Sequence, residues 1–497
     1  MKSYQKLEEI FSSINALEGA MSILHWDNAV TMPEGGASAR GEHLAALTTV
    51  IQEKMTGPEL VEALHETEEQ TPKLDPWQAA NFREMRRTWT HAAAVSSKLM
   101  SDLCLAKTES EHVWRVARAN NDFKSFAPYL EKVLGMVRIV AKEKSAYLKC
   151  PLYDALLDNY DPGRTSAQID IIFADLEKFL PGFIGEVLDH QQSKGKPLPL
   201  TGHFPIAAQR ELGVEIMKAM GFNFNEGRLD ISTHPFCGGV PSDVRITTRY
   251  EEENFLWSLL GVIHETGHAL YENQLPKKWR NQPVGRAHGM SIHESQSLIM
   301  EMQAARTEEF LSFLHPKMVK LFGVSGEAWT FDNVRRSVNW VQRSLIRVNA
   351  DEVTYPAHIL LRYKLEKAMI EGNLQVKDLP GEWNKGMQEL VGITPDSDKN
   401  GCMQDIHWPG GDFGYFPTYT LGAMNAAQLF VAAKKAKPGI LPSLAKGDFS
   451  PLSGWLAENV HGNGSLYPSA NDLMVKATGS ALDVGYFKQH LRKRYLA

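Results

Sequence analysis

His264-Glu265-Thr266-Gly267-His268 sets two imidazoles four residues apart with a carboxylate beside the first. On a helix, residues four apart share a face one turn from each other, so both rings can reach one tetrahedral cation of the Zn²⁺ type. Glu265 then sits next to the coordination position left open, where a carboxylate can take a proton from water acidified by the metal. The pattern points to metal-assisted hydrolysis, of an amide bond above all.

Such a pentad needs a helix to carry it, and residues 250–271 supply the pattern for one. They contain no proline, and Phe255, Leu256, Leu259, Leu260 and Ile263 recur at helical spacing, while Trp257, Gly261, His264 and His268 run down another stripe. Gly261 weakens a helix by about 1 kcal/mol relative to Ala, so its place one turn before His264 predicts that something needs room there. Asn273 and Pro276 end the helix. A catalytic zinc takes three protein ligands, and the candidates for the third are Glu272, Glu294 and Glu301. Glu272 would strain a straight helix by coordinating in line with both histidines. Glu294, in Ser291-Ile292-His293-Glu294-Ser295-Gln296, opens a helical segment that can pack back across the first, and is the expected ligand. Glu301, two turns on, suits a carboxylate that orients an imidazole.

Around this helix the chain reads as mainly α. Its 497 residues give a length prior of about three domains, but the breaks near 151–165, 192–206 and 438–468 lack the low complexity of interdomain linkers, and no internal repeat is visible. The expectation is one catalytic unit over residues 1–497, with 1–225 mostly helical and 226–497 carrying the metal and substrate sites. One β region stands out at 228–250: Leu229-Asp230-Ile231-Ser232-Thr233 and Val244-Arg245-Ile246-Thr247-Thr248-Arg249-Tyr250 alternate in the manner of strands, separated by Pro235, Gly238, Gly239 and Pro241. With 53 Lys+Arg against 59 Asp+Glu and no long basic run, nucleic acid and anionic membranes are poor partners. The charged start Met1-Lys2-Ser3-Tyr4-Gln5-Lys6-Leu7-Glu8-Glu9 does not read as a signal peptide, and no stretch reaches the roughly 18 apolar residues of a membrane span. Four scattered cysteines without a CxxC pair suit a reducing cytoplasm.

Further motifs stand in order along the chain: His234-Pro235-Phe236, Asp243-Val244-Arg245-Ile246-Thr247, the pentad, His293-Glu294-Ser295-Gln296, Ile346-Arg347-Val348-Asn349-Ala350-Asp351 and Gly401-Cys402-Met403-Gln404-Asp405-Ile406-His407-Trp408. With Leu24-His25-Trp26-Asp27 and Met32-Pro33 near the start, they resemble the thermostable carboxypeptidase Taq family of zinc metallocarboxypeptidases. The resemblance extends over the full length and implies a helical, zincin-like fold with a long cleft, a homodimer, peptide substrates and broad C-terminal preference with proline disfavoured. It also implies that Arg347 binds the substrate's terminal carboxylate, for which a planar guanidinium is suited.

For the remaining candidates the residues leave two roles each. Asp243, Arg245 and Thr247 share a strand face, where they either line a cleft and bind peptide main chain or brace the sheet. His234 either lines the pocket or bonds a carbonyl. Arg347 and Asp351, four apart on an expected helix, would form an ordinary ion pair if not a substrate contact. His407 and Tyr419 both qualify as donors to the oxyanion that develops opposite the metal, and Tyr419 equally reads as a core aromatic. The expected activity is removal of single C-terminal residues from peptides, with one Zn²⁺ per chain (Co²⁺ being able to activate such sites) held by His264, His268 and Glu294, Glu265 as general base and Arg347 as anchor. A related zincin with dipeptidyl or endopeptidase action, and a non-enzymatic peptide-binding scaffold, are the other readings.

Overall fold

The helical periodicity is realised along nearly the whole chain in a computed structural model that describes residues 2–497; Met1 of the charged N-terminal stretch lies outside them. Helices run from Lys2–Val30 at one end to Val484–Tyr495 at the other, and among the described residues one three-stranded sheet interrupts them. Local sequence starts several helices: Asp75 before Pro76 and Thr165 before Ser166 each close a capping box with a glutamine at the third helical position. No helix among the described residues is long and apolar enough to cross a membrane.

Two large apolar clusters organise the molecule. One gathers Phe126, Leu176, Leu360, Trp383, Trp408 and Phe416. The other gathers Phe255, Ile263, Phe310, Trp329, Phe449 and Trp455. The helix Pro417–Ala436 serves both, because Leu421, Met424 and Ala427 point into the first while Ala426, Leu429, Phe430 and Ala433 point into the second. Apolar residues on opposite faces let the helix pack on two sides at once.

The sheet consists of β1 (Gly227–Ile231), β2 (Cys237–Val240) and β3 (Asp243–Thr248), in the order β1-β3-β2, with β1 parallel and β2 antiparallel to β3. Val244 and Ile246 pack with Leu229, Phe222, Val262 and Ala269, so one sheet face rests on the pentad helix, Phe255–Asn273. On the opposite face Thr247 is buried, its hydroxyl accepting from the Ser232 hydroxyl (2.7 Å) and the Phe236 amide (3.1 Å). Thr247 thereby pins the His234-Pro235-Phe236 turn.

The structure departs from the sequence pattern at four places. The glycine-rich separator is itself a strand: Gly239, at φ 88°, lies within it opposite Val244, where a Cβ would stand 2.1 Å from the Asp243 carbonyl oxygen, and Pro241-Ser242 make the return from Val240 to Asp243. The break at 438–468 contains the helices Ile440–Leu444 and Ser450–Asn459, and that at 151–165 contains Leu152–Leu157. Prolines at or near their first turns, Pro151 and Pro451, look like breakers in sequence but suit a helix start, where the missing N–H is not needed. The pentad helix begins at Phe255 rather than 250, after an Asn254 with no side-chain cap bond.

The fourth difference lies at Gly261. A Cβ there would meet only Thr248 Oγ1, at 3.9 Å, so no neighbouring side chain or backbone demands the glycine. The tight position is Gly267, between the histidines: a Cβ would lie 2.5 Å from the Gln296 carbonyl oxygen and 2.6 Å from Ser297 Cα. Here the pentad helix presses on the helix Gly289–Leu298. Gly261→Ala should therefore be neutral or stabilise by up to ~1 kcal/mol through helix propensity, whereas Gly267→Ala should destabilise by ~1–3 kcal/mol through overpacking. Urea unfolding of both variants checks this, and equal effects would contradict the assignment of the close contact.

Candidate active site

Helical spacing puts His264 and His268 on one side of the pentad helix, and their Nε2 atoms turn towards Glu294. His264 Nε2 lies 3.8 Å and His268 Nε2 3.4 Å from Glu294 Oε2. The three donor atoms fall within 4.8 Å of one another. Donors on a tetrahedral Zn²⁺ at ordinary bond lengths stand about 3.3 Å apart, so two neutral-capable imidazoles and a carboxylate at these separations fit one such ion. Glu294 can come this close because Gly422 of the helix Pro417–Ala436 lies against it; a Cβ at 422 would stand 2.8 Å from Glu294 Cβ and Cγ.

The opposite ring nitrogens are also held. His264 Nδ1 is 3.0 Å from Glu301 Oε2, and Arg306 donates to the other Glu301 oxygen at 3.0 Å. Glu301 belongs to a one-turn π-helix, Ile299–Ala304, a local widening frequent at functional sites. His268 Nδ1 is 2.7 Å from His293 Nδ1, and His293 Nε2 is 2.8 Å from Glu272 Oε1.

The charges favour a cation. Burial works against a proton on His264, yet Glu294, Glu301 and Glu265 outweigh it and hold the ring's pKa up at about 10. Burial also works against the charge on Glu294, and the two histidines still bring its carboxyl down to about 2. His268 is the reverse case: burial, with His293 and His264 beside it, lowers it to about 4, which leaves a neutral ring with a lone pair to give. Burial pushes the Glu265 carboxyl up to about 7; His264 opposes that shift and Glu294 adds to it. A carboxyl poised near neutrality can both take and return a proton.

Arg347 occupies a separate corner. It lies in a short 3₁₀ turn, Arg347–Asn349, and the expected helix through Asp351 does not form; the next helix starts at Tyr355. The Arg347–Asp351 pair is therefore absent. Asp351 instead accepts the backbone amides of Gln342, Val353 and Thr354, as a short acidic side chain does before a helix. Arg347 donates to Asp405 through Nε (3.0 Å) and Nη2 (2.8 Å), and through Nη1 to the Tyr355 hydroxyl at 2.7 Å. Arg362 holds the other Asp405 oxygen at 2.6 Å. Burial opposes the charge on Asp405, but the two guanidinium groups keep its carboxyl well below the usual carboxylate range. The Arg347 guanidinium also faces the Tyr419 ring, with 5.1 Å to its centroid.

Tyr419 stands one turn before Gly422, on the face turned to Glu294. Its hydroxyl is 3.2 Å from His407 Nε2, and burial, reinforced by the nearby Arg347, holds His407 neutral with a pKa of about 3. The loop that carries His407 is anchored by buried Glu366, which accepts from Tyr153 (2.6 Å), Trp408 Nε1 (2.8 Å) and the Gly414 amide (2.8 Å). Tyr355 and Tyr415 also lie within electrostatic reach of Glu294.

On the sheet side, Arg245 grips Asp243 at 2.9 and 2.6 Å and lies over the Trp26 ring, 4.5 Å from its centroid. His234 is exposed at the turn, with its carbonyl accepting from Ser232 Oγ. The fold thus gathers His264, His268, Glu294 and Glu265 at one point, places Arg347, His407 and Tyr419 beside one another, and leaves Arg245 and His234 on the outer sheet face. Asp405, Arg362, Tyr355 and His293 received no role from spacing, and Glu272 figured there only as a candidate metal ligand, whereas it meets His293. Aspartate or arginine in a motif was the sole hint, since their partners are distant in sequence.

The chain matches the family model described as carboxypeptidase Taq (M32) metallopeptidase over residues 6–495. It is 36% identical to thermostable carboxypeptidase 1 of Thermus thermophilus, the match covering 100% of this chain and 98% of that protein. Carboxypeptidase 1 of Bacillus subtilis is 34% identical over 98% of this chain and 97% of its own length. Among solved structures, metallocarboxypeptidase 1 of Trypanosoma cruzi superimposes with a TM-score of 0.98 at 37% identity, over 100% of both chains.

Asp405 generates a pH-dependent expectation. A carboxylate lowered in the folded state contributes stability that is fully present above its unfolded value, near 3.8, and is lost as pH falls through the folded value. Asp405→Asn leaves two buried guanidiniums without their counter-charge and should cost roughly 3–5 kcal/mol at pH 7. The gap to the unaltered protein should narrow between pH 4 and pH 3. Urea titrations across that range check it, and a gap independent of pH would contradict the ionic cause.

Proposed function

The chain belongs to the carboxypeptidase Taq (M32) family and is a metallocarboxypeptidase, and on that footing we propose that it removes single C-terminal residues from peptides at the centre formed by His264, His268 and Glu294. The observation that carries this reading is the convergence of three donors suited to one cation with the buried Glu265 carboxyl beside them. Zn²⁺ is the proposed occupant, one per chain, with Co²⁺ able to replace it. When bound, the metal would polarise the scissile carbonyl and acidify water.

The protein groups then have distinct tasks. Glu265 takes the proton from the attacking water and passes it to the leaving amine; its elevated pKa suits both transfers. Tyr419 and His407 act as one hydrogen-bonded pair, presenting a donor to the developing oxyanion. Arg347 binds the terminal carboxylate. Asp405 and Tyr355 hold its guanidinium in place and offset the burial of its charge, leaving donor capacity for the substrate. Anchoring the chain end there makes the enzyme an exopeptidase.

Arg245 and His234, on the outer sheet face, are proposed to meet the peptide further from its C-terminus, and Asp351 to shape the Arg347 corner through its backbone bonds. Broad side-chain tolerance follows from a grip on backbone and carboxylate groups that all peptides share. A homodimer is carried over as what the family resemblance implies, and four unpaired cysteines suit a cytoplasmic setting.

Mass spectrometry of one peptide in free-acid and C-terminally amidated forms, with and without a chelator, tests the reading. Stepwise loss of single residues is expected from the free acid alone and only with metal; internal cleavage of the amidated peptide would favour an endopeptidase. Glu265→Gln should retain metal while turnover falls by ~10²–10⁴, and substantial turnover in the metal-replete variant would remove the general-base role. Arg347→Lys should raise KM for free-acid peptides by at least ~10-fold through loss of the two-pronged grip, whereas equal effects on free and amidated peptides would remove the anchor.

A further inference from the structure

The hydrogen bonds behind the metal histidines are not alike. His264 meets a carboxylate directly, while His268 meets another imidazole, and that imidazole meets a carboxylate. His268 and Glu272 are four residues apart on the pentad helix, and His293 enters from the helix Gly289–Leu298 to bridge them. His293 stands next to Glu294 in sequence. Its ring lies 4.7 Å from that of His268 and 5.3 Å from that of Tyr271, centroid to centroid.

We infer that Glu272 and His293 form a relay that fixes His268 in the one tautomer able to bind metal, so that both are positioning residues for the centre. A neutral imidazole carries one N–H and one lone pair. Glu272, a carboxylate, accepts and so calls for the His293 proton on Nε2. That leaves a lone pair on His293 Nδ1, which must then accept from His268 Nδ1. His268 in turn keeps its lone pair on Nε2, the atom turned towards Glu294. The opposite direction puts the His268 proton on Nε2, where it blocks the ligand position, and turns a bare His293 nitrogen against the Glu272 carboxylate. Glu272 alone thus sets the direction of the chain of bonds.

The relay has a second effect. It ties the helix that carries both histidines to the helix that carries Glu294 at the point where Gly267 permits their contact. His264 receives the corresponding support from Glu301, itself gripped by Arg306. Each metal histidine is therefore backed by its own acid, one directly and one through a ring. Partners of this kind alter metal affinity by about 10–100-fold.

This inference rests on His264, His268 and Glu294 being the ligands, and its test separates the two. Zinc affinity is measured by competition with a chelator, and the coordination geometry by the visible spectrum of the Co²⁺-substituted protein. His293→Ala and Glu272→Leu are each expected to weaken zinc binding ~10–100-fold and to shift the cobalt bands. The double variant should bind no more weakly than His293→Ala alone, because the two residues act in series. His293→Gln, whose carbonyl can accept from His268, should recover part of the loss. The relay is overturned if Glu272→Leu binds zinc within twofold of the unaltered protein, or if the two losses multiply in the double variant. Glu272 is partly exposed, so its variant tests the relay even where His293→Ala does not fold. If His268→Ala still binds zinc with unaltered affinity, the ligand assignment fails, and the relay with it.

Discussion

Three helices meet at a contact that only glycine allows, and the site depends on it. Gly267 lets the pentad helix touch the backbone of Gln296 and Ser297, and Gly422 lets Pro417–Ala436 lie on the side chain of Glu294. Two imidazoles from the first helix and a carboxylate from the second then fall within reach of one cation, and Tyr419 of the third is brought to the same place. A methyl group at either glycine would have to push the donors apart by a sizeable fraction of an ångström, and packed interiors have little slack for that.

Around that contact the protein invests in buried charge. Glu265, Glu294 and Glu301 outnumber the cations beside them, which holds a proton on His264 and suits a metal. In the neighbouring corner Asp405 is shared by Arg347 and Arg362, so the proposed anchor for a substrate carboxylate is already braced before substrate arrives. The arrangement combines a negative pocket for the cation with a positive, fixed guanidinium next to it. Buried charges of this kind are tolerated because each is matched by a partner or a hydrogen bond.

Much of the fold was legible from local pattern. The pentad helix, its end at Asn273, the strands at 229–231 and 244–248 and the dominance of helix follow from periodicity, which depends on nearest neighbours along the chain. Misread segments share one cause, because glycine and proline mark both interruptions and close contacts. Gly239 allows close backbone contact within a strand, Pro451 starts a helix, and Gly261 has open space where Gly267 has none.

The sequence by itself determined the chemistry on offer: two histidines on one helical face, a carboxylate between them, a glutamate on the following helix, and an arginine with an aspartate four residues on. Residue type and helical geometry settle these locally. Only the tertiary structure decided how they pair. It gave Arg347 to Asp405 rather than Asp351, seated Glu301 behind His264, and slid His293 between His268 and Glu272. Those choices turn on how distant helices pack, and packing is set by shape and volume at the contact rather than by spacing along the chain.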